Sequence, residues 1–165
     1  MKKSLIVYFS QSSNTRRVAQ ILQKLTGADL EEIRPVSPYT EPYEALTRVV
    51  KDELQRGFLR PIEALDRDLS QYDTIFLGSP NWWSTVATPV RTFLNRYSLE
   101  GKTVAPFLTH GGGGKGNADR DVKKLCTGQI LEMLALYEDG GSRAEGELSA
   151  WLQKIGFAAE GGAKE

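Results

Sequence analysis

Cysteine and histidine are scarce in this chain of 165 residues, which has one of each, Cys126 and His110. A single cysteine excludes an internal disulfide and a cysteine-rich metal site, and we expect no bound metal. We interpret Cys126 as a small thiol packed at a helix end. The alternative is a catalytic thiol, for which His110 is the one candidate partner, remote in the chain.

Net charge is also lacking, because 21 lysines and arginines balance 21 aspartates and glutamates. Nucleic acids and anionic membranes attract proteins with a basic excess, so neither is expected as a partner. No apolar run approaches the ~20 residues that span a bilayer. Met1, Lys2 and Lys3 precede an apolar run that is too short for a secretory signal, and we therefore expect a cytoplasmic protein.

What the chain does contain is an alternation of strand-like and helix-like patterns. Residues 5–9 are a continuous apolar run, as expected of a strand buried on both faces. An apolar stripe with helical spacing follows at 18–25. Thr88 is a predicted helix N-cap, with Pro89 at the first helical position. Further strands are predicted at 29–34, 73–78, 102–109 and 129–137, and further helices around 46–54, 119–125 and 148–155.

This alternation predicts a doubly wound α/β domain, a three-layer sandwich in which helices cover both faces of a parallel sheet. We expect one domain over residues 1–160 and a loose tail at 161–165. Ligands of such sheets bind beyond the carboxyl ends of the strands. The loops at 10–15, 79–88 and 110–117 each follow a predicted strand, so they are expected to gather at that end.

The first of these loops is rich in hydroxyl and amide groups and leads into a helix. The N-terminus of a helix has unbonded backbone N–H groups and the positive end of the helix dipole, which together favour an anion. Such donors can wrap a phosphate monoester without a cationic side chain. The alternative is a polar-capped helix with no ligand, and the residues alone leave it open. The donors are Ser10, Ser12, Ser13, Asn14 and Thr15.

The sequence SQSSNT at 10–15 resembles the phosphate loop of flavodoxin-like proteins, S/T-x-T/S-G-N-T. Ser13 stands where that pattern usually has Gly, so a positive φ at this residue would be mildly strained. Residues 75–94, with the sequence IFLGSPNWWSTVATPVRTFL, and residues 106–117, PFLTHGGGGKGN, are similar to the second and third flavin loops of the same family. The resemblance implies a five-stranded parallel sheet of order 2-1-3-4-5 and non-covalently bound FMN.

The resemblance also assigns residues to the two ends of an FMN site. The donors of the first loop would hold the phosphate. At least one of Trp82 and Trp83 would contact the flavin, and which of them does so stays open, as does a bond from His110 to the ring or to a substrate. Around the isoalloxazine ring, the resemblance implies Pro80, Asn81, Trp82 and Trp83 on one side and Thr109, His110, Gly111 and Gly112 on the other.

Two classes of function follow from the resemblance. One is an oxidoreductase that moves electrons from NAD(P)H to quinone-like or other small acceptors, in which FMN carries the redox chemistry and no side chain need act as acid or base. The alternative is an electron-transfer flavodoxin that passes electrons between protein partners. Zero net charge favours the enzyme, because typical flavodoxins are strongly acidic. An apolar, tryptophan-rich rim also favours a homodimer.

Overall fold

The structure, a computed structural model, describes residues 3–157, and the predicted tail at 161–165 lies outside this range. No helix among the described residues is long and apolar enough to cross a bilayer. In chain order the elements are β1 (Ser4–Tyr8), α1 (Asn14–Thr26), β2 (Asp29–Glu32), α2 (Tyr43–Arg56), β3 (Thr74–Trp82), β4 (Thr85–Val86), α3 (Thr88–Arg96), β5 (Thr103–His110), α4 (Ala118–Leu125), β6 (Gln129–Ile130), β7 (Leu134–Tyr137) and α5 (Ala144–Lys154).

The strands form a parallel sheet in the order β2-β1-β3-β5-β6, and β7 also pairs with β5. Thr103 at the start of β5 faces β6, whereas Phe107 and the residues after it face β7, so the two short strands lie end to end along β5. Taken as one interrupted strand, they complete the predicted order 2-1-3-4-5 and confirm the doubly wound fold. The short β4 is an antiparallel addition to the end of β3.

Helices cover both faces of this sheet. Consecutive residues of β1 point to opposite faces, as the two-residue period of a strand requires. Leu5 and Val7 pack in an apolar cluster with α2, α3 and α4. Ile6 and Tyr8 pack in a second cluster with α1 and α5. Burial on both faces is the reason that the run at 5–9 has no polar residue.

Three local predictions are wrong in detail. The predicted loop at 79–88 is a hairpin, because β3 continues to Trp82 and residues 85–86 form β4. The predicted strand at 129–137 is interrupted at 131–133, where the carbonyl oxygen of Glu132 accepts a hydrogen bond from Trp151 Nε1 at 2.8 Å rather than from a neighbouring strand. Thr88 is not the N-cap of α3 but its first residue, and Ala87 occupies the cap position. The N–H of Ala87 donates to the Ser79 hydroxyl at 2.8 Å, which holds the chain at this entry point.

Candidate functional site

A cleft of about 540 Å³ opens at the carboxyl ends of the strands, within the usual size range of cofactor sites. The predicted site residues that line it are Ser12, Asn14, Pro80, Asn81, Trp82, Trp83, Thr109, His110 and Gly111. The others, Ser10, Ser13, Thr15 and Gly112, belong to the same three loops but do not line the cleft. The convergence of these loops at one edge of the sheet follows from the parallel strands that precede them.

Two hydrogen bonds that involve hydroxyl groups hold the first loop in place. Ser10 Oγ accepts a hydrogen bond from the N–H of Arg16 at 3.1 Å. Thr15 and Thr109, both buried, share a hydrogen bond between their hydroxyl oxygens at 2.8 Å, which ties the start of α1 to the end of β5. Ser10 and Thr15 therefore hold the shape of the loop, while Ser12 and Asn14 line the cleft.

Ser13 has a φ of 78°, in the left-handed region that favours glycine. An L-residue in this region costs roughly 1–2 kcal/mol. Ser13 is the N-cap of α1, yet its side chain makes no capping hydrogen bond. The N–H groups of Asn14 and Thr15, the first two residues of α1, therefore lack a side-chain cap, whereas the N–H of Arg16 is bonded to Ser10 Oγ.

Trp82 is a half-buried wall of the cleft. Its ring packs edge-on against Phe9 at 5.4 Å and Tyr39 at 5.2 Å between centroids. The hydroxyl of Tyr39 donates to Glu53 at 2.6 Å, and Arg60 donates to the other oxygen of that carboxylate at 2.7 Å. Burial and the bond to Glu53 raise the pKa of Tyr39 far above its ordinary value, so the hydroxyl stays protonated and the support behind Trp82 stays in place.

Trp83 occupies a different position, at the tip of the hairpin formed by β3 and β4. Trp83 and Ser84 have φ values of 55° and 66°, and Trp82 pairs with Thr85 on either side of them. Two-residue hairpins with positive φ at both positions favour Asn-Gly, so this tip is strained. The indole Nε1 donates to the carbonyl oxygen of Thr47 in α2 at 2.9 Å.

The second and third loops are bonded to each other. Asn81 Nδ2 donates to the carbonyl oxygen of Gly114 at 2.7 Å. The N–H of Asn117 donates to the carbonyl oxygen of Ser84 at 2.6 Å. At the base of the hairpin, the Thr85 hydroxyl donates to Asp121 in α4 at 2.6 Å. Hydrogen bonds therefore hold the second loop, the third loop and α4 to one another.

The start of the third loop has open space beside its glycines. A Cβ placed on Gly111 or Gly112 would meet no atom within 4 Å. The N–H of Gly112 donates to His110 Nδ1 at 3.0 Å, so the neutral ring carries its proton on Nε2. His110 thereby offers a hydrogen-bond donor next to an open stretch of backbone.

Sequence reasoning missed one wall of the cleft. Tyr43, Leu46, Thr47 and Val50 of α2 line it, as does Glu138 after β7. Leu46 and Val50 carried an apolar helical pattern, but that pattern indicates burial and does not say which cavity a helix borders. Tyr43 is 80% exposed, and no local pattern marks it as part of a site.

The remaining candidate chemistry is weak. Cys126 lies half-buried at the end of α4, as a packed thiol should, and burial raises the pKa of that thiol, so the reactive thiolate is disfavoured. Within residues 3–157, no group of three or more His, Cys, Asp or Glu side chains is arranged to hold a metal ion.

Taken together, these features define an α/β protein of the doubly wound class with a cleft at the carboxyl edge of its sheet that is lined by both polar and aromatic side chains. The chain belongs to the flavodoxin family, because the family model Flavodoxin matches residues 3–155.

Solved structures share this fold. A provisionally assigned flavoprotein from Bacteroides eggerthii has a TM-score of 0.79 and 29% sequence identity, over 96% of this chain and 100% of that one. A flavoprotein from Lactobacillus acidophilus in complex with FMN has a TM-score of 0.69 and 25% identity, over 92% and 99% of the two chains. An NADH:FMN oxidoreductase in its apo form, at 14% identity, a TM-score of 0.55 and coverages of 93% and 90%, shows similarity of fold alone. No curated protein sequence matches the chain.

Proposed function

We propose that this protein is an oxidoreductase that uses FMN to move electrons from NAD(P)H to quinone-like or other small acceptors. The observation that carries the proposal is that one cleft is lined both by polar residues at the start of α1 and by the aromatic residues of the second loop. The relative from Lactobacillus acidophilus, solved with FMN, supports the cofactor. Zero net charge supports small acceptors rather than a basic protein partner.

The phosphate of FMN lies against the first loop in this proposal. The side chains of Ser12 and Asn14 and the N–H groups of Asn14 and Thr15 donate to it, and the dipole of α1 favours its charge. Ser10 and Thr15 hold the loop through their bonds to Arg16 and Thr109. The strain at Ser13 fits this role, because left-handed backbone orients consecutive N–H groups toward an anion.

The isoalloxazine ring lies at the other end, between the tryptophan hairpin and the third loop. Pro80, Asn81, Trp82 and Trp83 border one side of the ring, and Thr109, His110, Gly111 and Gly112 the other. The open space beside Gly111 and Gly112 fits a flat ring edge, and His110 Nε2 supplies a donor there. Donors at a ring that gains negative charge on reduction stabilise the reduced form.

FMN, when bound, supplies the two-electron chemistry, and the protein binds it, orients it and limits its contact with water. In the overall reaction NAD(P)H, one proton and a quinone become NAD(P)⁺ and a hydroquinone. None of the residues that line the cleft is required as an acid or base. A homodimer and a cytoplasmic location stay predictions.

A second candidate function is an electron-transfer flavodoxin. Tyr43, Trp83 and Tyr137 are large and exposed, and such side chains are also what a protein partner contacts. The two functions differ in the electron donor that reduces the flavin. An enzyme loses its oxidised flavin absorbance when NAD(P)H is added, whereas a shuttle does so only when a reductase protein is present.

The first experiment is an absorption spectrum of the purified protein before and after FMN is added and unbound FMN is removed. The proposal expects a protein-bound flavin spectrum. Ser12→Ala and Asn14→Ala should weaken FMN binding, while Ser70→Ala is the matched control, because Ser70 is exposed in a turn before the start of β3 and the cleft lies at the other end of that strand. Failure of the wild-type protein to retain FMN would overturn both candidate functions.

A further inference from the structure

The adjacent tryptophans of the second loop are held in different ways. Trp82 is half-buried and fixed by the aromatic rings of Phe9 and Tyr39. Trp83 is 53% exposed, and its polar contact is the bond from Nε1 to the carbonyl oxygen of Thr47. Lys51 Nζ lies 5.2 Å from the centre of the Trp83 ring, on the same helix as Thr47. Trp82 is therefore held by packing against neighbouring rings. The Trp83 side chain is instead held at the surface by its hydrogen bond to Thr47 and its contact with Lys51.

The hairpin tip that carries Trp83 is anchored on the opposite side. Ser84 accepts the 2.6 Å bond from Asn117, and Gly116 lies so close that a Cβ there would be 2.8 Å from Ser84 Cβ. The base of the hairpin is bonded to α4 through Thr85. From this tip the Trp83 indole reaches α2, where it contacts Thr47 and Lys51. Its side chain thus joins the two walls of the cleft.

We propose that Trp83 is a specificity-determining residue, an indole bar across the mouth of the cleft that admits narrow flat acceptors and excludes bulky ones. This inference rests on the proposed function, because it concerns which acceptors reach the FMN of that same cleft. The bar is defined by Trp83 itself, its anchor at Ser84 and its contact with Thr47. Its exposure places it at the rim, and its presence in the cleft lining places it where an acceptor must pass.

Two variants separate the ring from its hydrogen bond. Trp83→Ala removes the bar, and Trp83→Phe keeps a flat ring but cannot bond to Thr47. Trp151→Phe is the matched control, because Trp151 Nε1 makes the same kind of bond, to the carbonyl oxygen of Glu132 at 2.8 Å, on the α5 side of the sheet. Trp83 lies on the surface, so its loss leaves both apolar clusters complete.

The first measurement uses FMN-loaded protein reduced with one equivalent of dithionite and mixed without oxygen with 1,4-benzoquinone or 9,10-phenanthrenequinone. Two electrons and two protons pass to each quinone, the hydroquinone forms and the oxidised flavin absorbance returns. Trp83→Ala should raise the rate for the bulky quinone about ten-fold relative to the small one, the size of discrimination that steric exclusion achieves. Trp83→Phe should raise this ratio less, and Trp151→Phe should leave it unchanged. An unchanged ratio in Trp83→Ala overturns the inference.

The second measurement needs no bound FMN. The chain has three tryptophans, so three indole N–H signals are expected in a nitrogen-15 spectrum, and the signal absent from Trp83→Phe belongs to Trp83. Exchange of this indole proton with solvent should be slower than in free tryptophan, and equal exchange overturns the bar. Failure to bind FMN overturns the proposed function and the specificity role with it. FMN binding with an unchanged quinone ratio overturns the specificity role alone.

Discussion

The two ends of the cleft are built in different ways. At the end formed by the first loop, the hydroxyl groups of Ser10, Thr15 and Thr109 hold the chain, and the N-cap residue of α1 makes no side-chain capping bond. At the other end, the second and third loops bond to each other and to α4, and a buried network supports Trp82. A site for a charged group must keep its donors available, whereas a site for a flat ring needs rigid walls. The difference is what the proposed site, with a phosphate at the first loop and a flat ring at the second and third, requires.

The largest expected effect is the loss of the ionic support behind Trp82. Arg60→Met should lower the free energy of unfolding by about 3 kcal/mol, because it leaves the carboxylate of Glu53, 3% exposed, without its cationic partner. Urea denaturation measures this loss. Arg34→Met, which breaks the exposed pair with Asp66, is the control and should cost less than about 0.5 kcal/mol. Equal losses of unfolding free energy in the two variants would show that the buried pair stabilises the protein no more than the exposed one.

The bond behind the first loop can be tested with a double-mutant cycle. Thr15→Val or Thr109→Val alone should each cost about 2 kcal/mol, because the remaining buried hydroxyl loses its partner. The double variant should cost less than the sum of the two, since no unpaired hydroxyl remains. Urea denaturation of the four proteins gives the coupling energy, and additive losses would contradict the bond.

The contact between the second and third loops should affect ligand binding more than folding. Gly116→Ala places a Cβ 2.8 Å from Ser84 Cβ at a residue with a φ of 53°, so the two loops must move apart. We expect FMN affinity to fall about ten-fold, or 1.4 kcal/mol, as measured by flavin titration. Gly146→Ala in α5, where the added Cβ meets no atom within 4 Å, is the control and should leave affinity unchanged.

The smallest expected effect is relief of strain in the first loop. Ser13→Gly removes the left-handed penalty but adds freedom to the unfolded chain, so the net gain in stability should be about 0.5 kcal/mol. Ser12→Gly adds the same freedom without relieving strain, because Ser12 does not have a positive φ, and it should destabilise instead. Thermal unfolding of the two variants distinguishes them. A loss of stability in both would mean that Ser13 is unstrained in solution.

Much of this architecture is predictable from local pattern. Apolar runs such as 5–9 indicate strands buried on both faces, and their alternation with helical stripes predicts the parallel sheet and the edge at which its loops meet. The break at 131–133 escaped prediction, because it depends on an indole from α5 that bonds to the Glu132 carbonyl. The prediction for the cap of α3 failed because the helix entry is held by Ser79, eight residues earlier, through a bond that a local capping pattern does not include.

The order of the strands within the sheet was implied by the family resemblance. Local sequence determined the alternation of strands and helices along the chain, the polar first loop and the presence of two tryptophans in the second. Periodicity and turn chemistry act over a few residues, and these features need nothing more. Only the tertiary structure decided that α2 forms a wall of the cleft, that Trp82 is fixed by Tyr39 while Trp83 reaches Thr47, and that the second and third loops bond to each other. Those contacts join residues far apart in the chain, and they exist only once the sheet has brought its loops to one edge.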